Sequence, residues 1–182
     1  MLVIHVDSKS DTSFLKELYE GLDCKVLYNP SKSEVKSALK TESGRIIITG
    51  HGDPQGLYNE RWDGRVIDSS MVNLLRNKEI IGIWCYASEF ANRYDLMGFF
   101  TSMFISNVEE YVYCGFDLLP TTEEDINREN YKFAKQINDF IKNDIPISIW
   151  VEKLQNNCSD LNFVKYNYEA LYYESKTNSE RS

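Results

Sequence analysis

Five short apolar runs punctuate the chain: "LVIHV" (2–6), "CKVLY" (24–28), "RIIIT" (45–49), "IIGIW" (80–84) and "YVYCG" (111–115). Each is nearly continuous rather than alternating. That pattern belongs to strands covered on both faces of a parallel sheet. Helical periodicity fills the intervals. "TSFLKELYEGL" places Phe14, Leu15, Leu18 and Leu22 on one face, with Gly21 near its end. "SKSEVKSALK" opens with Ser31 and Glu34 at capping-box spacing, and "DSSMVNLLRN" opens on Asp68, a good N-cap. "SEFANRYDLMGFFTSMF" reads as one helix after the fourth strand. A long helix follows from a second capping box at Thr121 and Glu124, its apolar face running through Tyr131, Ala134, Ile137, Phe140 and Ile141.

Strand and helix alternating at this spacing predict an α/β fold: a three-layer sandwich with a mostly parallel sheet flanked by helices. The C-terminal third is less determined. Pro146 can begin a helix over "PISIWVEKLQNN". "LNFVKYNYEALYY" (161–173) fits a helix through Leu161, Val164, Tyr168 and Leu171, and equally an edge strand through Val164, Tyr166 and Tyr168. No repeat, low-complexity block or linker divides the chain, so residues 1–173 are expected to form one domain and 174–182 a polar, disordered tail.

Composition narrows the functional classes. The 182 residues are 42% hydrophobic and 26% charged, enough for one core. The formal net charge of −8, without a basic run, argues against nucleic acid and anionic membranes as partners. The N-terminus lacks the basic region of a signal peptide, and no stretch approaches the ~18 apolar residues of a membrane helix, so a cytoplasmic location is expected. The four cysteines, Cys24, Cys85, Cys114 and Cys158, form no Cys-x-x-Cys pair, and there are only two histidines. Neither a zinc site nor any cofactor is expected. Cys24 and Cys114 are expected to be small buried hydrophobes inside strands, and His5 a buried neutral histidine. Cys158 is assigned no role.

The chemistry gathers at two strand ends. "RIIITGHGDPQGLY" ends its strand in His51-Gly52, and "EIIGIWCYAS" ends its strand in Cys85. Sites in open parallel sheets form beyond the carboxyl ends of the strands. If the third and fourth strands are neighbours, about 4.8 Å apart, thiol and imidazole share a cleft. The imidazole can then take the thiol proton, and the start of the following helix favours the thiolate. Gly52, lacking a Cβ, can bring its N–H to an oxyanion, with the Cys85 N–H as a second donor. Asp53 reads as a turn former or a substrate-pocket residue, and Asp117, in "CGFDLLP", as a candidate wall for a basic side chain.

These residues resemble the caspase-like cysteine peptidases of clan CD. An apolar strand ends in His-Gly, a second ends in Cys, and between them stand Asp53, Gly56-Leu57-Tyr58 and Asp63-Gly64 in the order caspases use. The helical C-terminal part also resembles CHAT-type domains. The resemblance covers roughly residues 1 to 155. It implies His51 as general base, Cys85 as nucleophile, Gly52 in the oxyanion hole, and peptide hydrolysis through an acyl-enzyme on a peptide or protein substrate. The chain departs from the pattern at Trp84, directly before Cys85, at "YAS" after it, and at Ile83, where metacaspases carry an acidic residue. The His-to-Cys spacing is also shorter than the ~50 residues of caspases. Substrate preference and oligomeric state stay open. Two other readings remain: a catalytically inactive caspase-like binding or adaptor module, and a flavodoxin-like binding domain. The latter is disfavoured because "DSKSDTS" after the first strand holds no glycine to cradle phosphate.

Overall fold

The computed structural model describes residues 1–7, 10–117 and 121–175. In chain order, β1 (Leu2–His5) leads through a 3-10 segment (Ser10–Leu18) to β2 (Lys25–Tyr28), α1 (Lys32–Thr41) and β3 (Ile46–Thr49). Three short strands follow: β4 (Gly52–Asp53), β5 (Gly56–Tyr58) and β6 (Arg65–Ile67). Then come α2 (Val72–Leu75), β7 (Ile80–Ile83), α3 (Ala87–Tyr94), β8 (Gly98–Phe100) and α4 (Val108–Tyr113). The chain ends with α5 (Glu123–Lys142), α6 (Trp150–Asn156), α7 (Asn162–Glu169) and β9 (Tyr172–Glu174).

The main sheet has the order β2-β1-β3-β7-β8-β9. All pairings are parallel except β8 with β9, which is antiparallel. Side-chain alternation along the strands splits the core in two. Val3, Ile47, Ile81 and Phe99 face a cluster completed by α5, α6 and α7. Leu2, Ile4, Ile46, Ile48, Ile80 and Phe100 face the other, completed by α1, α2 and α3. Helices thus cover both faces of a mostly parallel sheet, as the strand–helix alternation predicts. Among the described residues no helix is long and apolar enough to cross a membrane.

Several elements differ from the sequence expectation. The first predicted helix is the 3-10 segment. The predicted helix over 88–104 stops at Tyr94: Asp95 turns left-handed (φ 53), and Gly98–Phe100 becomes β8, filling the place beside β7. "YVYCG" is not a strand but the end of α4. Asn107 caps this helix by accepting from the Glu110 N–H at 2.8 Å, and a satisfied cap outweighs the β preference of Tyr and Val. Cys24 and Cys114 therefore lie outside strands, one before β2 and one capping α4, and both are half-buried. The strand β2 forms, but as a sheet edge with Lys25, Val26 and Tyr28 exposed. The α5 capping box is one residue later than expected, at Thr122 and Asp125. Over 161–173 the helical reading holds: Val164, Tyr166 and Tyr168 lie in α7 rather than in an edge strand, and a strand, β9, begins only at Tyr172. Of the expected tail, Glu174 lies in β9 and 176–182 fall outside the described residues.

His5 is wholly buried at the end of β1. Its Nδ1 shares a 2.8 Å hydrogen bond with the Tyr19 hydroxyl, and its Nε2 has no partner among the described residues. Burial pushes its pKa down to about 4, against the pull of Asp7, which favours the cation. The folded protein therefore binds fewer protons at this residue than the unfolded chain between pH 6.5 and about 4. Stability should fall as pH drops through that window, by up to about 3 kcal/mol from this group. Urea unfolding of wild type and His5→Phe at pH 7 and pH 4.5 checks this, with a smaller loss expected in the variant.

Candidate active site

Parallel pairing of β3 with β7 aligns Thr49 with Ile83, and the Gly50 N–H donates to the Ile83 carbonyl at 3.2 Å. The two chains thus leave the sheet side by side. His51 and Cys85 each stand two residues past that aligned pair. Gly50 makes the exit of β3 possible. It has φ +143, and a Cβ there would lie 2.4 Å from the Val6 carbonyl oxygen. His51 and Cys85 line one pocket together with Thr12, Phe14, Leu15, Gly50, Ile83, Trp84, Phe104, Ser106 and Glu110. It lies beyond the carboxyl ends of β1, β3 and β7, where strand order reverses around β1. Its free volume is ≈ 20 Å³, room for about one water.

On the Cys85 side, Trp84 points to the opposite sheet face, is 3% exposed, and donates from Nε1 to the Asp53 carbonyl at 3.3 Å. The Cys85 thiol is half-buried and donates to the Phe104 carbonyl at 3.7 Å. Tyr86, which follows, has a left-handed backbone (φ 67) and caps α3 without a side-chain bond. A bulky residue in this region costs on the order of 1–3 kcal/mol, strain that the surrounding packing must hold in place. The loop carrying Phe104 is fixed from three helices. Asn167 of α7 accepts from the Ile105 N–H and donates to its carbonyl, at 2.8 and 3.0 Å. Asn130 of α5 donates to the Ser106 carbonyl at 2.9 Å, and the Glu110 carboxylate of α4 accepts from the Ser106 N–H at 2.7 Å.

On the His51 side, β4, β5 and β6 form a small antiparallel sheet. The Tyr58 N–H donates to the His51 carbonyl at 2.9 Å. Asp53 accepts from the Tyr58 hydroxyl at 2.7 Å and the Gln55 N–H at 2.8 Å, and forms an ion pair with Arg65. Partial burial raises the Asp53 pKa, but the bonds from Arg65, Tyr58 and Gln55 outweigh it and hold the carboxyl below its ordinary range. The Arg65 guanidinium lies 5.0 Å from the Tyr58 ring centre. Trp62 stacks on Tyr58, at 5.3 Å and 12°, and lies tilted against the His51 imidazole, at 4.9 Å and 43°. His51 itself is 9% exposed.

His51 and Cys85 are thus brought together. Gly52 is beside them, and its lack of a side chain has a packing reason: a Cβ would lie 2.3 Å from Trp84 Cδ1 and 2.5 Å from the Gly56 carbonyl oxygen. Asp53 is engaged within the small sheet. Asp117 is exposed beyond α4 and is not among the residues lining the pocket. Trp62, Phe104, Glu110, Asn130 and Asn167 had no place in the sequence reading. The readable signal for Asn130 was a polar residue amid the apolar face of α5; Trp62, in a polar loop, gave none. Among the described residues no group of His, Cys, Asp or Glu could hold a metal ion. Comparisons with protein-family models, curated proteins and solved structures return no match.

A half-buried thiol and an imidazole lining one pocket can support nucleophilic chemistry. Gly52→Ala is expected to lower stability by about 1–3 kcal/mol through overpacking against Trp84. Urea unfolding measures the loss, and Trp84→Leu in the same chain should recover part of it.

Proposed function

We propose that this chain is a caspase-like cysteine peptidase that hydrolyses peptide bonds through a Cys85/His51 dyad. The observation that carries the reading is the equivalent register of the two residues past adjacent parallel strands, lining one pocket. In this reading His51 takes the thiol proton as Sγ attacks the substrate carbonyl carbon. The tetrahedral oxyanion is met by the Gly52 and Cys85 N–H groups. Collapse breaks the C–N bond, and the leaving amine takes the proton from His51. Water, activated by His51, then hydrolyses the thioester, releasing a carboxylic acid and the free thiol. Asp53 acts indirectly, by holding the small sheet behind His51, and Asp117 has no part in the dyad.

A second reading, an inactive binding module on the same fold, is favoured by the narrowness of the pocket and by the Cys85–Phe104 contact. Alkylation by iodoacetamide separates the two. For a peptidase, Cys85 should react faster than a free thiol, with the rate persisting well below the ordinary thiol range near ~8.5, and His51→Ala should remove that advantage at least about tenfold at pH 6.5. A Cys85 that reacts no faster than Cys158, or that is indifferent to His51, overturns the dyad and leaves the binding module.

A further inference from the structure

The aromatic side of the pocket has features that the dyad does not require. Trp62 is a large apolar side chain, 45% exposed, in the loop joining β5 to β6. Its backbone is left-handed (φ 61), a costly conformation for so bulky a residue. The loop is built to keep it there. The Asn59 N–H donates to the Gly64 carbonyl at 2.9 Å, and the Trp62 N–H to the Asn59 carbonyl at 3.1 Å. The Asn59 side chain accepts from the Arg61 and Asp63 N–H groups at 3.2 and 3.3 Å, and donates to the Asp63 carboxylate at 2.6 Å. Below the indole, Tyr58 is fixed by Asp53, and Asp53 by Arg65.

We propose, resting on the peptidase reading, that Trp62 determines specificity: its exposed surface forms the wall of a subsite, beside His51, for an apolar side chain of the substrate. Three observations carry this. The indole lies against the imidazole, so a side chain packed on it sits beside His51. It is held by strain and by a side-chain network, so its position is set before any ligand arrives. The indole carries no charge of its own, and Arg65 and Asp53 pair with each other at the Tyr58 ring, so the wall selects by apolar contact.

The probe is a pair of alkylators of Cys85, 2-iodoacetamide and N-benzyl-2-iodoacetamide. In both, an Sγ–C bond forms, the C–I bond breaks, and iodide leaves with the electron pair. The rate constants are measured for the whole chain, with mass spectrometry reading occupancy at Cys85. In wild type the benzyl reagent should react faster than the parent compound. Trp62→Ala should lower that ratio by roughly 2- to 12-fold, the range that one aromatic contact gives, and the ratio is read within each variant so that a change in the parent rate cancels. Trp62→Phe should keep most of the ratio, and a thermal melt of each variant reports its folding. A ratio unchanged in Trp62→Ala overturns the subsite, as does a greater preference for an N-(2-aminoethyl) reagent that is lost with Trp62. Failure of the dyad reads out differently, as a slow parent reaction indifferent to His51.

Discussion

The site depends on one constraint, the register of β3 against β7. These are parallel neighbours in the middle of the sheet, and their pairing aligns Thr49 with Ile83. A slip of one residue in β7 would turn its side chains over. Trp84, now packed among α3 and the opposite core, would take the position of Cys85, and the thiol would point into an apolar cluster. The register is defended from both faces, because Ile47, Ile81 and Ile83 fill one core while Ile46, Ile48 and Ile80 fill the other. Wholly buried β-branched side chains make a slip costly at every position. Hydrophobic burial therefore sets the relation between His51 and Cys85, and the local hydrogen bonds refine it.

The two sides of the pocket are held by different means. The His51 side is a small antiparallel sheet whose only ion pair among the described residues joins Asp53 to Arg65, with Tyr58 and Trp62 stacked upon it. The Cys85 side is a strained turn at Tyr86 facing a loop pinned by Asn130 and Asn167. Those two asparagines come from α5 and α7, so the C-terminal helices are part of the site's support. Trp84 connects the halves, since its indole lies under Gly52 and donates to the Asp53 carbonyl.

The central strands were legible because isoleucine runs bounded by charge or glycine admit few alternatives. The edges were not. The strand β2 has the composition of an interior strand, and only the absence of a neighbour makes it an edge. With only three residues, Gly98–Phe100 is too short for periodicity to separate it from the helix before it. "YVY" favours a strand by propensity, but its fate is decided upstream by the Asn107 cap, with Glu109 and Glu110 in the first turn. The positions of His51 and Cys85 were legible because strand ends can be read from patterning. Trp62 was not, because its position follows from Asn59 and the Tyr58–Asp53–Arg65 chain, contacts that exist only once three short strands have paired.

The size of the pocket constrains how such a site can operate. The free volume of ≈ 20 Å³ holds about one water, so in the proposed reaction a scissile carbonyl would meet the thiol at the open side of the pocket. The sulfur is turned inward, towards the Phe104 carbonyl at 3.7 Å. Reaching the mouth requires a change of rotamer about Cα–Cβ. It breaks the weak S–H···O contact with the Phe104 carbonyl, worth about 1 kcal/mol or less. Moving the walls would cost far more, because it would break the Asn167 pair or the Asp53–Arg65 ion pair. In the proposed mechanism, thiol rotation over a fixed backbone would cost less than moving those walls.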